Sequence, residues 1–287
     1  VFIELVTDGG GYSATSIEFR ITRWLALLSD LRLSIERGEL AVHYQPKIDV
    51  LGNDVAGVEA LLRWTHPTRG PVSPAEFMPI AEQTGLIMAL TGHVLDDVLQ
   101  QLRLWLDAGF TMPVAVNVSV RNFVDPAFVD RVFAALARYR VDPALLQLEL
   151  TEGVLMAEPD KTREQLSRLA AGGVTVSIDD FGTGYSSLGY LKSFPVHTLK
   201  IDRSFVHKLD AADDNQAIVS ALIGMGNSLG RRSRMRQGFG QRTFAATAVT
   251  INGNCYFLHS DKCTKKVKCL CAFSIYFIRV FKKLLKR

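Results

Sequence analysis

Apolar residues recur along this chain with two periods that take turns. From Trp24 to Glu36, WLALLSDLRLSIE, they return every three or four positions, which predicts a helix. LAVHYQPKIDV then reads as a strand with LGND as its turn, and VAGVEALLRW as a second strand. SPAEFMPIAEQTG has Ser73 before Pro74 at its start and Gly85 at its end, the chemistry of a capped helix. VLDDVLQQLRLWLDAG is an amphipathic helix ended by Gly109. VAVNVS, LLQLELTE, VTVSIDD and HTLKID follow as strands, with helices FVDRVFAALARY, TREQLSRLAAGG and SSLGYLKSF between them and NQAIVSALIGMGNSLG after them.

Strands alternating with helices of this length argue for a parallel α/β sheet. Six strands before residue 203 favour a closed (β/α) barrel over a two-layer fold. In such a barrel the C-terminal strand ends meet on one face, where active sites lie.

Charge divides the chain in two. From Arg231 onward there are 14 Lys and Arg and one acid, Asp261; before it, 19 basic residues face 28 acidic ones. All four cysteines, Cys255, Cys263, Cys269 and Cys271, lie in that basic tail, at spacings that match no zinc ribbon or finger. The expected organisation is a linker or remnant over 1–22, one domain over 23–230, and an atypical tail over 231–287. No stretch is long and apolar enough to span a membrane, and no secretory signal opens the chain. A cysteine-free body suits a reducing, cytoplasmic setting.

The polar residues fall in a pattern on this frame. Glu59 lies in the second strand and Asn117 in the third. Glu149 and Glu152 end the fourth, Asp179 and Asp180 the fifth, Lys200 and Asp202 the sixth. Each has a bland reading: a solvated loop acid or helix cap for Glu59, turn chemistry for Asp-Asp before Phe-Gly, a satisfied core amide for Asn117. The joint pattern is harder to dismiss, because strand after strand ends in the same chemistry. Clustered carboxylates repel unless a cation binds them, and oxygen ligands without histidine or thiolate suit Mg2+ or Mn2+. Paired divalent ions are a common device for phosphodiester hydrolysis.

EALLRW (59–64), YQPKID (44–49), AEQTGLI (81–87), VNVS (116–119), LELTE (148–152), DDFGTGYSSLGYL (179–191) and LKIDRSF (199–205) resemble the EAL family of cyclic di-GMP phosphodiesterases. The resemblance covers about residues 25–230 and rests on several motifs in order. It implies a TIM-like barrel whose first strand is antiparallel to the rest, and hydrolysis of cyclic di-GMP to linear pGpG with Mg2+ or Mn2+. By position, Glu59, Asn117, Glu149 and Asp179 would hold one metal, and Asp179 and Asp180 a second. Lys200 would orient or help deprotonate the attacking water. Arg63 would hold a phosphate, with Gln45 and Asp202 near the substrate. Glu152 would anchor the glycine-containing loop 182–187. A homodimer through the barrel and an upstream sensory or cyclase-like domain are the partners the resemblance implies; no specific nucleic-acid motif is present.

The pattern departs from the family in two places. His197 stands where the family commonly has aspartate. After NSLG, the family's VVAEGVE-like strand, with a metal-site glutamate, and its later glutamine-bearing strand give way to RRSRMRQGFGQRTF. Arg-Arg-Ser-Arg-Met encoded as CGT CGT AGC CGA ATG reads Val-Val-Ala-Glu one base out of register, so the tail is read as out of frame. The expectation is a barrel whose last strands are missing or replaced, with open edges, an exposed apolar interior and impaired activity. The alternative is an inactive EAL domain that binds cyclic di-GMP as a sensor. FSIYFIRVFKKLLKR also has the character of a basic amphipathic helix, weighed against out-of-frame sequence with no selected role.

Overall fold

The computed structural model describes residues 14–49, 54–183, 188–206, 213–228, 232–235 and 250–251. Helix α1 (Ala14–Ser34) begins ten residues before Trp24, so part of the stretch expected to be linker is helical. Its Leu27 and Leu31 are buried with Leu40, Trp64, Val72, Phe77 and Ile80 in a small cluster of their own. Strands β1 (Leu40–Asp49) and β2 (Asp54–His66) form an antiparallel hairpin, and β3 (Gly70–Val72) folds back on the end of β2. Helix α2 (Pro74–Thr84) starts as its sequence requires: the Ser73 hydroxyl accepts from the Ala75 N–H, and Gly85 ends it in the left-handed region. Helix α3 (Ile87–Asp107) extends further toward the N-terminus than the VLDDVLQQLRLWLDAG pattern suggests.

The chain then repeats its unit. Strand β4 (Val114–Val118) leads into α4 (Val120–Phe123) and α5 (Phe128–Tyr139), and β5 (Leu146–Thr151) into α6 (Glu152–Ala157) and α7 (Pro159–Ala171). Strand β6 (Thr175–Phe181) precedes α8 (Leu188–Ser193), and β7 (Thr198–Ile201) precedes α9 (Arg203–Val206) and α10 (Asp213–Ser228). The sheet runs β1-β2-β4-β5-β6-β7 with every neighbour after the first hairpin parallel.

Alternation along the strands decides which residues face which layer. Val114, Val116, Val118, Leu146, Leu148, Leu150, Val176 and Ile178 join the main core with Val98 and Leu102 of α3, Val129 and Val132 of α5, and Leu166 and Leu169 of α7. The alternate positions form the inner face. There the expectation of an apolar interior fails: Lys47, Gln147, Glu149, Ser177, Asp179, Thr198 and Lys200 are all buried and all polar. The hydrophobic work is done between sheet and helices, which leaves the inner face free for charge.

The sheet also continues past β7. Strand β8 (Arg232–Met235) pairs parallel with β7, Lys200 opposite Arg234, and β9 (Thr250–Ile251) pairs antiparallel with β8. The seventh place in the sheet is therefore filled by Arg232–Met235. Among the described residues no ladder joins β8 or β9 back to β1. The cysteines and the basic amphipathic stretch lie outside the described residues.

Candidate active site

Three strands deliver three carboxylates to one ammonium. Lys200 Nζ of β7 donates to Glu149 Oε2 of β5 at 2.6 Å and to Asp179 Oδ2 of β6 at 3.1 Å, and lies 3.7 Å from Glu59 Oε2 of β2. Asn117 of β4 closes the group, its Nδ2 donating to Glu59 Oε1 at 2.9 Å. The parallel register makes this possible. Asn117 pairs with Glu149, and inward positions two residues apart on one strand stay at matching heights on the next.

Burial pulls the Lys200 pKa down, and the attraction of Glu149, Asp179 and Glu59 outweighs it, so the group stands well above the ordinary lysine value. Lys200 is therefore an ammonium in this arrangement and a proton donor in its hydrogen bonds.

The Asp179–Asp180 pair sits where the strand breaks. Asp180 has φ 53°, a left-handed conformation that Asp tolerates better than most residues, and its N–H donates to Asp179 Oδ1 at 3.0 Å. The β6–β7 register shifts between Ile178 and Phe181. Asp179 is thereby buried in the bowl while Asp180, half-buried, begins a turn that Thr183 Oγ1 closes by donating to the Asp180 carbonyl at 2.8 Å. Gly182 follows at φ 101°, and its N–H donates to Glu152 Oε2 at 3.2 Å. A Cβ at Gly182 would meet the Phe205 ring at 3.0 Å, so glycine is required by both conformation and space. Residues 184–187 of the expected loop lie outside the described residues.

The remaining candidates have other contacts. Gln45 is half-buried and level with Glu59 across the β1–β2 hairpin. Arg63, further along β2, donates Nη1 to the Leu62 carbonyl at 2.9 Å. Asp202 accepts from the Ser204 N–H at 2.8 Å, capping α9. His197 lies away from the cluster: it exchanges backbone and ring contacts with Val176, whose N–H donates to His197 Nδ1 at 3.2 Å.

Sequence reasoning missed Lys47, Gln147 and Ser177. Lys47 Nζ donates to Gln147 Oε1 at 2.8 Å and lies 3.6 Å from Glu149 Oε1. The signal was available: Lys47 is two residues from Gln45, and Gln147 two from Glu149, so each shares a face with a residue already singled out.

The donor set is all oxygen, carboxylates with one amide, which is the chemistry of a hard divalent cation. Among the described residues no ready-made cage of three acids or histidines for a metal ion is present; Glu59, Glu149 and Asp179 converge on Lys200 Nζ. That ammonium is a cation stand-in at the focus of the carboxylates, and the residues fit a divalent ion in charge and ligand type.

Parallel strands alternating with helices, an antiparallel first hairpin and carboxylates gathered on the inner face make this a (β/α)-barrel domain built around an acidic centre. The chain belongs to the EAL domain family, whose pattern matches residues 28–234. It is 45% identical over 223 residues to the bifunctional diguanylate cyclase/cyclic di-GMP phosphodiesterase MucR of Pseudomonas aeruginosa, covering 77% of this chain and 33% of that protein. It is 35% identical over 210 residues to the cyclic di-GMP phosphodiesterase PdeR of Escherichia coli, covering 73% of this chain and 32% of that one. The chain thus spans about a third of the length of these curated relatives. Among solved structures, the PaMucR phosphodiesterase in complex with c-di-GMP superposes with a TM-score of 0.73 at 42% identity, covering 78% of this chain and 94% of that one. The TIM-like barrel of EAL type is therefore the fold. Among the described residues no helix is long and apolar enough to cross a membrane.

Proposed function

We propose that this chain carries the phosphodiesterase chemistry of its family, hydrolysing cyclic di-GMP to linear pGpG with Mg2+ or Mn2+ as a cytoplasmic second-messenger domain. The observation that carries the reading is the Lys200 clasp: one buried ammonium within 3.7 Å of three carboxylates from three strands. Supporting it, a relative 42% identical is solved with c-di-GMP.

In this reading Glu59, Asn117, Glu149 and Asp179 would hold one divalent ion, and Asp179 with Asp180 a second. Bound divalent ions neutralise phosphoryl oxygens and lower the pKa of a coordinated water. The chain's own residues supply the rest. Lys200, kept protonated by its carboxylates, orients the attacking water as a donor; its raised pKa argues against a base role in the metal-free arrangement. Arg63 presents a planar cation to a phosphate oxygen, and Gln45 and Asp202 line the approach. Glu152 positions the loop beginning at Gly182 through the backbone bond it accepts. A homodimer through the barrel and an upstream sensory or cyclase-like domain complete the reading. Mg2+- or Mn2+-dependent conversion of cyclic di-GMP to pGpG, abolished by Glu59→Ala, tests it; a folded chain with no turnover overturns it.

One observation favours a second reading, a binding domain without turnover. The strand position paired with Lys200 on β8 is Arg234 rather than an acid, and the chain beyond it departs from the family's pattern. A replaced strand, from an out-of-frame tail, would cost the metal site a ligand while leaving Gln45, Arg63 and Asp202 for the nucleotide. Saturable cyclic di-GMP binding without hydrolysis supports this reading over the first.

A further inference from the structure

Glu149 is held from two sides. Its side chain has no solvent exposure, with Lys200 at 2.6 Å from Oε2 and Lys47 at 3.6 Å from Oε1. The two lysines arrive from opposite directions in the sheet order, β7 and β1. Lys47 itself is nearly sealed from water, at 8% side-chain exposure.

The path of Lys47 is built for it. Its strand partner is Gly57, and the register shifts immediately after, between Lys47 and Ile48. A Cβ at Gly57 would lie 2.8 Å from the Pro113 carbonyl oxygen and 3.7 Å from Lys47 Cε. The missing side chain lets β2 approach Pro113 and leaves room for the lysine stem. Its ammonium then meets Gln147, which accepts at 2.8 Å. A buried cation is costly unless paired and hydrogen-bonded, so a lysine seated this way is held by its partners.

We infer that Lys47 is a built-in counter-charge for the acidic centre, which balances Glu149 when no divalent cation is bound and thereby weakens divalent-cation binding. The inference rests on the metal-dependent reading above. The charge count gives its sign. Glu59, Glu149 and Asp179 bring three negative charges, and Lys47 and Lys200 two positive ones. A dication would compete with Lys200 for the carboxylate oxygens of Glu59, Glu149 and Asp179. Lys47 approaches Glu149 by the other oxygen and stays, a fixed positive charge close to the incoming ion. If Lys47 served only to brace Glu149, its loss would loosen a ligand and weaken metal binding. As a counter-charge, its loss tightens it.

The test is Mn2+ binding to the full chain, by calorimetry and by the Mn2+-dependent rise in melting temperature after chelator treatment. Lys47→Met is expected to lower the Mn2+ Kd by about tenfold or more, from removal of one nearby charge in a poorly screened site. It should also lower the metal-free melting temperature and increase the rise on adding Mn2+. Lys47→Arg, which keeps the charge, should bind Mn2+ as the parent does. Lys47→Gln keeps a polar partner for Gln147 and carries the same expectation as Met if the Met variant does not fold. An unchanged or weaker Mn2+ affinity in the neutral variants overturns the counter-charge role and leaves the metal site standing. Failure of the parent and all variants to bind Mn2+ overturns the metal-dependent reading, and this inference with it.

Discussion

Lys200 Nζ stands 2.6 Å from Glu149 Oε2, with side-chain exposures of 3% and 0%. An ion pair so deeply buried is held by geometry, since desolvating both ions costs several kcal/mol that only close contact and further bonds offset. Removing one member leaves the other's charge stranded. Lys200→Met is therefore expected to cost about 3–5 kcal/mol of folding stability. Urea denaturation of the variant measures it, and a loss under about 1 kcal/mol would show the clasp to be solvent-relaxed.

The same carboxylates hold the Lys200 proton. Its folded-state pKa lies above the ordinary lysine value of 10.5, so its contribution to stability is fully present below that value. The contribution is lost only as pH rises through the folded pKa. Nitrogen-15 NMR of the lysine side chains should show Lys200 still protonated at a pH where exposed lysines are half titrated. Titration together with the exposed lysines would contradict the three-carboxylate environment.

Glu59 takes the Asn117 amide and faces Lys200, at 13% side-chain exposure. It sits at the rim of the charged bowl and outside the hydrophobic layer. Glu59→Ala is expected to leave the far-UV circular dichroism unchanged while lowering cyclic di-GMP turnover by about 100-fold or more, the scale for removing a preorganised charged group. A fall in both together would assign Glu59 to folding.

Leu148 is fully buried on the helix-facing side of β5, one residue from Glu149. Leu148→Ala should cost about 2–5 kcal/mol in stability. Nucleotide and Mn2+ affinities, measured well below the melting temperature, should stay near the parent's. A selective loss of Mn2+ binding would mean that the two faces of the strand are coupled.

Arg234 pairs with Lys200 in the β7–β8 ladder, at the place where the resemblance to the family leads one to expect a metal-site glutamate. Arg234→Glu is expected to tighten Mn2+ binding and raise turnover relative to the parent chain. No change in either would show that restoring an acid on β8 does not repair the site.

Much of this was legible in the order of residues. The VAVNVS, LLQLELTE and VTVSIDD strands, with amphipathic helices between them, appear as β4, β5 and β6 because apolar period two and period 3.6 follow from backbone geometry alone. The Ser73 cap and Gly85 stop of α2 are local chemistry and emerged as read. Helix α1 begins at Ala14, ahead of the apolar period of WLALLSDLRLSIE, because residues 14–23 are helical without carrying a clear apolar stripe.

Candidate residues were visible one at a time: Glu59 and Asn117 stood within predicted strands, and Glu149, Asp179 and Lys200 toward the ends of theirs. What tertiary structure alone decided was their meeting at a single ammonium, because convergence depends on register between strands up to 141 residues apart along the chain, Glu59 to Lys200. It also decided that the inner face is polar, that Gly57 makes way for Lys47, and that Arg232–Met235 takes the next place in the sheet. A strand's alternation tells which residues share a face. Only the packing of helices against one side tells which of the two faces is the oily one, and so which is left for charge.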